Sequence, residues 1–233
     1  MAYKKRYDGR GFNDTRPIEA TAGVIKNADG SAHFKIGKTE AYAAVYGPRS
    51  LHPRFMQDPK KGVLRCFYGM MPFSGAGDRV RPGPNRRSKE LCLVIQKALM
   101  PVLDLSAYPN AVVDLFIDFP QTDAGTRCAA ICAASIALAD AGFPMRDMVT
   151  AVSLGKVEDK MVIDLDYQEE AHEDGDVADI PLAMVPSTGE ITLLQADGFF
   201  TADDLKGGLA DIQPVVEEIA EQMRAAVRAR YEG

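Results

Sequence analysis

Residues 121–142 read QTDAGTRCAAICAASIALADAG, and the seam inside this stretch decides how the chain is built. Residues 126–141 are apolar nearly all round, the pattern of a helix with no solvent face, so a central helix is predicted there. The polar segment 121–127 leads into it. Thr122 or Asp123 would suffice to cap such a helix. An arginine in the first turn works against the helix dipole, whose N-terminal end is already positive. Arg127 therefore points to a negative partner at this helix start.

Outward from that seam, the 233 residues are 46% hydrophobic and 26% charged, a globular balance sufficient for a substantial core. No run is long and apolar enough to span a bilayer, and the opening MAYKKRYDGR has no apolar signal-peptide region, so a cytoplasmic protein is expected. Cys66, Cys92, Cys128 and Cys132 form no Cys-x-x-Cys pair and are expected to be reduced core thiols. The net charge of −6 is unevenly spread: residues 1–100 carry 19 Lys and Arg against 8 Asp and Glu, and residues 101–233 carry 8 against 25. Two outcomes are open. Either a basic face forms a polyanion path, or folding interleaves the halves and leaves no patch.

Residues 17–46 alternate as strands, with Asn27-Ala28-Asp29-Gly30 as a hairpin signal. A loop rich in Pro and Arg follows at 48–59, then a strand-like run, VLRCFYGMMPFS (63–74). Residues 74–85, SGAGDRVRPGPN, are expected to form a mobile basic loop. A helix is predicted over 86–105, with Leu91, Val94, Ile95, Ala98 and Val102 on one face and a kink at Pro101. AVVDLFIDF (111–119) is predicted as a strand, with two more near 148–156 and 160–166. The acidic DYQEEAHEDGDVAD (166–179) is predicted as a loop, and IPLAMV and ITLLQAD as further strands. Thr201 and Asp204 form a capping box for a last helix. Its first half is expected to be interrupted by Gly207-Gly208 and Pro214. The simplest account is one mixed α/β (α+β) domain over 1–233, with an N-terminal arm at 1–16 and a C-terminal helix at 201–233.

Familiar motifs mostly fail. There is no Walker A sequence and no G-x-S-x-G, and Ser74-Gly75-Ala76-Gly77 holds only a bare G-x-G. Asp164-Leu165-Asp166-Tyr167-Gln168 starts like a calcium loop, but Glu169 stands where that loop needs glycine. His33, His52 and His172 are too far apart for ligand spacing. The 121–127 segment is the better candidate. Gly125 permits close approach of a ligand, Thr126 adds a hydroxyl, and Arg127 adds a planar fork suited to phosphate oxygens. Pairing of Arg127 with one of the many acidic residues is the alternative. Arg86 and Arg87 also stand at a helix start, with Ser88 as a further donor, so two helix N-termini can converge on one phosphate or two adjacent ones. The acidic loop is either a solvated charge run or the source of a general acid.

Taken in order, YDGR (7–10), ADGSA (28–32), AVYGPR (44–49), RPGPNRRS (81–88), TDAGTR (122–127), ALADAGFPMRDMV (137–149), DLDY (164–167) and ITLLQADG (191–198) resemble the RNase PH superfamily, most closely its archaeal exosome branch. The resemblance spans nearly the whole chain. It implies a ribosomal protein S5 domain 2-like βαβα fold, with the active site between two helix starts. It also implies 3′-to-5′ phosphorolysis of RNA, with inorganic phosphate as co-substrate, release of nucleoside diphosphates and reversal as RNA tailing. By the same resemblance Gly125, Thr126, Arg127 and Arg87 hold phosphate, while Arg54, Arg65 and Arg86 grip RNA. The family's carboxylate pair falls on Asp179 and, with Glu173 as the rival, on Asp174. Both aspartates are candidate ligands for a magnesium ion. The expected partners are a single-stranded RNA 3′ end, a homologous non-catalytic subunit in a hexameric ring and RNA-binding cap subunits, with no membrane. The alternatives are a homohexameric RNase PH trimming tRNA ends and a silent, RNA-binding ring subunit.

Overall fold

The alternating segments pair into two sheets, each of which lays one hydrophobic face on the apolar helix between them. The computed structural model describes residues 3–76, 79–172 and 175–232. A first sheet contains β1 (Ile18–Ala22), β2 (Gly30–Ile36), β3 (Thr39–Ser50), β4 (Val63–Met70) and β5 (Ala111–Gln121), in the order β1-β2-β3-β5-β4. The β4–β5 pair is parallel, because α1 (Arg86–Leu99) carries the chain back across the sheet between them. The second sheet holds β6 (Thr150–Val157), β7 (Lys160–Ile163), β8 (Val177–Val185), β9 (Glu190–Leu194) and β10 (Asp197–Gly198). β6 and β8 form its centre, and β9 and β10 share the far edge of β8.

The helix predicted as central is α2 (Thr126–Asp140), which packs against β2 and β3 of one sheet and β6 and β8 of the other. Its alanines and cysteines keep it thin enough for both sheets to approach. Ile131, Ile136 and Leu138 are fully buried, each contributing about 1.5–3 kcal/mol. One hydrophobic cluster takes in residues of both sheets, α1, α2 and the last helix. The mixed α/β architecture expected from the sequence is therefore present. The four cysteines are free, with Cys66, Cys128 and Cys132 buried; burial pushes the Cys132 thiol up to about 12.

Three expectations need correction. α1 stops at Leu99 instead of running to 105, so Pro101 ends the helix and does not kink it. The Met100 N–H still reaches the Gln96 carbonyl at 3.0 Å, but Pro101 has no N–H with which to continue. The last helix, α4 (Ala202–Glu232), runs unbroken through Gly207, Gly208 and Pro214. Its Thr201–Asp204 capping box forms as expected, and burial of Ile212, Val216, Ile219 and Met223 outweighs the poor propensity of its first half. Gly208 lies against Leu154, where a side chain would not fit. The acidic stretch is not one loop either. Asp166 caps a short helix, α3 (Tyr167–Glu170), and Val177 already belongs to β8.

Candidate active site

The start of α2 differs from the other helix starts in having nothing of its own to cap it. Gly125 is the N-cap residue, left-handed at φ 65°, and no side chain accepts a hydrogen bond there. Thr122 instead donates to the Ser74 carbonyl, and the Asp123 N–H donates to Thr39 Oγ1 at 2.8 Å. The first N–H groups of α2 are thus left facing a cleft of about 1150 Å³. Arg87, Thr126, Arg127, Glu170, Asp179 and Asp197 all border that cleft.

Arg127 and Arg87 bring the positive charge. Arg127 meets one carboxylate among the described residues, the half-exposed Glu90, at 4.0 Å. Its Nε is buried without a partner. Buried polar atoms normally find partners, and Asp179 Oδ1 and Gln195 Oε1 on the same cleft are also unpaired. A polar ligand would satisfy such a set. α1 contributes less than expected, because Asn85 and Ser88 form a closed capping box and the Ser88 hydroxyl also donates to the Asn85 carbonyl. Ser88 is therefore committed to its own helix, while Arg87 reaches the cleft.

The acidic wall is more structured than a solvated run. Asp179, on β8, stands directly across from Asp197 of β10. Burial pushes the Asp179 carboxyl up from its ordinary value; Arg127 and Arg87 pull it down, and Asp197 pushes it further up. Glu170, at the end of α3, is exposed as a residue, yet its carboxyl, set on the cleft wall, is pushed up to about 7. Burial against the cleft wall is the main cause, followed by the charge of Asp179; Arg87, Arg16 and a hydrogen bond from the Gly125 N–H oppose it. Glu170 therefore sits at the α2 start, beside Asp179. Sequence reasoning missed it by placing the first carboxylate at Asp174 or Glu173, closer to Asp179 in the chain. Its spacing is nine, and the available signal was the neighbouring Glu169. That residue is wholly buried and accepts from Arg6 Nε and Nη2 at 2.8 and 2.7 Å, which turns the α3 end toward the cleft.

Glu173 and Asp174 lie outside the described residues. Arg86 is exposed on the first turn of α1 but does not border the cleft. Arg54 is exposed in a short 3₁₀ turn, residues 54–56, also away from it. Arg65 lies on the first sheet in a two-pronged ion pair with Asp114, at 2.7 and 2.9 Å. These three are thus not gathered with Arg87 and Arg127. Among the described residues, no group of three or more His, Cys, Asp or Glu could hold a metal ion. No helix of the described residues is long and apolar enough to cross a membrane.

Two family models match the chain: "3' exoribonuclease family, domain 1" over residues 14–144 and "3' exoribonuclease family, domain 2" over 147–210. The chain is 46% identical over 228 residues to the exosome complex component Rrp41 of Methanopyrus kandleri, covering 98% of this chain and 94% of that one. It is 45% identical over 227 residues to Rrp41 of Thermococcus onnurineus, covering 97% and 90%. The crystal structure of rice (Oryza sativa) Rrp46 superposes with a TM-score of 0.82 at 23% identity, covering 95% of this chain and all of that one, which shows the shared fold. With both family domains matched in order over almost its whole length, the chain belongs to the RNase PH family of phosphorolytic 3′-to-5′ exoribonucleases.

Proposed function

We propose that this chain is the catalytic subunit of an exosome-type RNA-degrading ring and that the cleft at the α2 start is where inorganic phosphate attacks RNA. The observation that carries the reading is the uncapped α2 N-terminus facing Arg87 and Arg127, with the unpaired Asp179 oxygen on the same cleft. The N–H groups at Thr126 and Arg127, together with the Arg127 guanidinium, would hold the attacking phosphate, with Gly125 permitting its close approach. Arg87 would grip the terminal phosphodiester, and Arg86, Arg54 and Arg65 would lie further along the RNA. A phosphate oxygen attacks the terminal phosphorus, the bond to the 3′ oxygen of the penultimate nucleotide breaks, and a nucleoside diphosphate leaves. The released 3′ oxygen takes a proton, for which Glu170 and Asp179 are the candidates on this cleft. Asp174 retains its candidacy from the family resemblance alone, with Glu173 as its rival.

Magnesium suits the cleft as a companion of the substrate. Asp179 and Asp197 supply two carboxylates, and magnesium commonly binds through one or two carboxylates plus substrate phosphates. Asp179 would hold it, and its charge would offset that of the phosphates. The chain is taken as a single folding unit working in the cytoplasm. It would alternate in a hexameric ring with a homologous non-catalytic subunit, with RNA-binding cap subunits above. Reversal would extend RNA from nucleoside diphosphates, since one phosphate bond is exchanged for another.

The test is incubation of the chain with 5′-labelled poly(A) and magnesium, with and without inorganic phosphate, alone and with the partner subunit. Phosphate-dependent release of ADP is expected. Release by the lone chain would favour a homo-oligomeric RNase PH. No release even with the partner would favour a silent ring subunit and sink the catalytic reading.

A further inference from the structure

Beneath the cleft, the two segments that carry its chemistry are tied together through one buried arginine. Arg16 grips Asp164 three times: its backbone N–H and Nε donate to Oδ2, each at 2.8 Å, and Nη2 donates to Oδ1 at 2.7 Å. On its other side Nη1 donates to the Asp123 carbonyl. Asp164 begins the segment that runs through the Asp166 cap into α3 and Glu170. Asp123 begins the turn that ends in Gly125 and α2. Gly125 lies directly over the arginine, since a Cβ there would stand 3.1 Å from Nη2.

Both tied segments hold unusual backbone. Asp164 has φ 59° and Ala124 φ 57°, a left-handed region that non-glycine residues seldom adopt. Such conformations persist only where the surroundings over-determine them, and they cluster at functional sites. Here the surroundings do so. Thr39, wholly buried, donates to the Ala124 carbonyl at 2.7 Å while accepting from Asp123, and Arg6 donates to the Asp164 carbonyl at 2.7 Å. Neither Arg16 nor Asp164 borders the cleft. A buried ion pair is a weak source of stability compared with apolar packing, whereas a guanidinium fork can satisfy two separate chain segments at fixed geometry.

We infer that Arg16 and Asp164 form a positioning pair, setting where the phosphate-holding turn stands relative to the Glu170 carboxylate. The inference rests on the phosphorolytic reading of the cleft. Its test uses Arg16→Lys, which keeps the charge but loses the fork, and Asp164→Asn, which keeps the shape and tolerates a left-handed backbone. Both are studied as full chains, in the assembly where wild type releases nucleoside diphosphate. The measurements are kcat, KM for inorganic phosphate, thermal melting and binding of labelled RNA without phosphate. Each folded variant is expected to raise KM for phosphate about tenfold and to lower kcat, as misplacement of the reacting groups does, while RNA affinity stays within about twofold. Loss of activity only in proportion to unfolded protein, with KM unchanged, would overturn the inference. If a variant fails to fold, Thr39→Val loosens the same turn without touching a charge and should raise KM for phosphate in the same way; an unchanged KM there also overturns it. A wild type that releases no nucleoside diphosphate would overturn the phosphorolytic reading itself.

Discussion

Arg127 is placed where the helix dipole opposes it, and its one carboxylate contact, Glu90, is at 4.0 Å and half exposed. Little stability depends on it. Arg127→Ala is therefore expected to leave the melting temperature nearly unchanged while reducing phosphate-dependent RNA cleavage by about 100-fold or more, the usual effect of losing a group that stabilises transition-state charge. Melting curves beside initial rates check both halves. Glu170 should behave in the opposite sense. Its carboxyl is pushed up to about 7 from an ordinary 4.5, so the folded state holds a proton that the unfolded chain has released between those values. Stability from this group is present below pH 4.5 and lost as pH rises through 7. Glu170→Gln should accordingly match wild type in melting at pH 4.5 and melt higher than wild type at pH 8, while losing activity at every pH. A variant that melts below wild type at pH 8 would contradict this account.

At the scale of elements, α4 shows how packing overrides propensity. Pro214 is exposed in the helix interior, where it removes one backbone hydrogen bond. Pro214→Ala is expected to stabilise the protein by about 1–3 kcal/mol in urea unfolding, because proline is that much poorer than alanine in a helix. Gly208 calls for the reverse. It too lowers helix propensity, but Leu154 occupies the space a side chain would need, so Gly208→Ala should destabilise by about 1–3 kcal/mol through overpacking. Opposite signs from two helix breakers in one helix would show propensity governing at exposed Pro214 and contact with Leu154 of β6 governing at Gly208. The α2 start follows the same logic. Gly125 is left-handed at φ 65° and a Cβ there would stand 3.1 Å from Arg16 Nη2, so glycine suits the position best, and the N-terminus without a side-chain cap is what makes an anion site possible.

Over the whole molecule, the uneven charge resolves partly by interleaving. Arg6, Arg10 and Arg16 of the basic half pair with Glu169 and Asp164 of the acidic half, and Arg65 pairs with Asp114. Arg54, Arg86 and Arg87 remain exposed. RNA binding should therefore weaken as salt rises, and neutralising Arg54 and Arg86 together should reduce the slope of log affinity against log salt by about 1.4, at roughly 0.7 per phosphate contact on a single strand. The KM for phosphate should be unaffected. Fluorescence anisotropy across a salt series tests this. Magnesium belongs to the same scale, because among the described residues no group of three or more His, Cys, Asp or Glu side chains could hold it. Magnesium alone should leave the melting temperature unchanged, whereas EDTA should abolish RNA cleavage and added magnesium restore it; a large melting shift with the ion alone would show a site built from protein groups.

The sequence by itself determined the elements whose cause is local. The all-apolar run made α2 central, the Thr201–Asp204 box started α4, and the Gly-Thr-Arg seam pointed to a helix start without a side-chain cap, because each depends on residues within a turn or two of one another. Only the tertiary structure decided which acidic residues serve the cleft. Glu169 and Glu170 are neighbours, yet one is buried against Arg6 and the other stands beside Asp179. Residue spacing cannot distinguish them, since their fates depend on an arginine more than 160 residues away in the chain. The same holds for Arg16, an unremarked residue of the N-terminal arm. It became a tie between two loops only once folding brought Asp123 and Asp164 to either side of it.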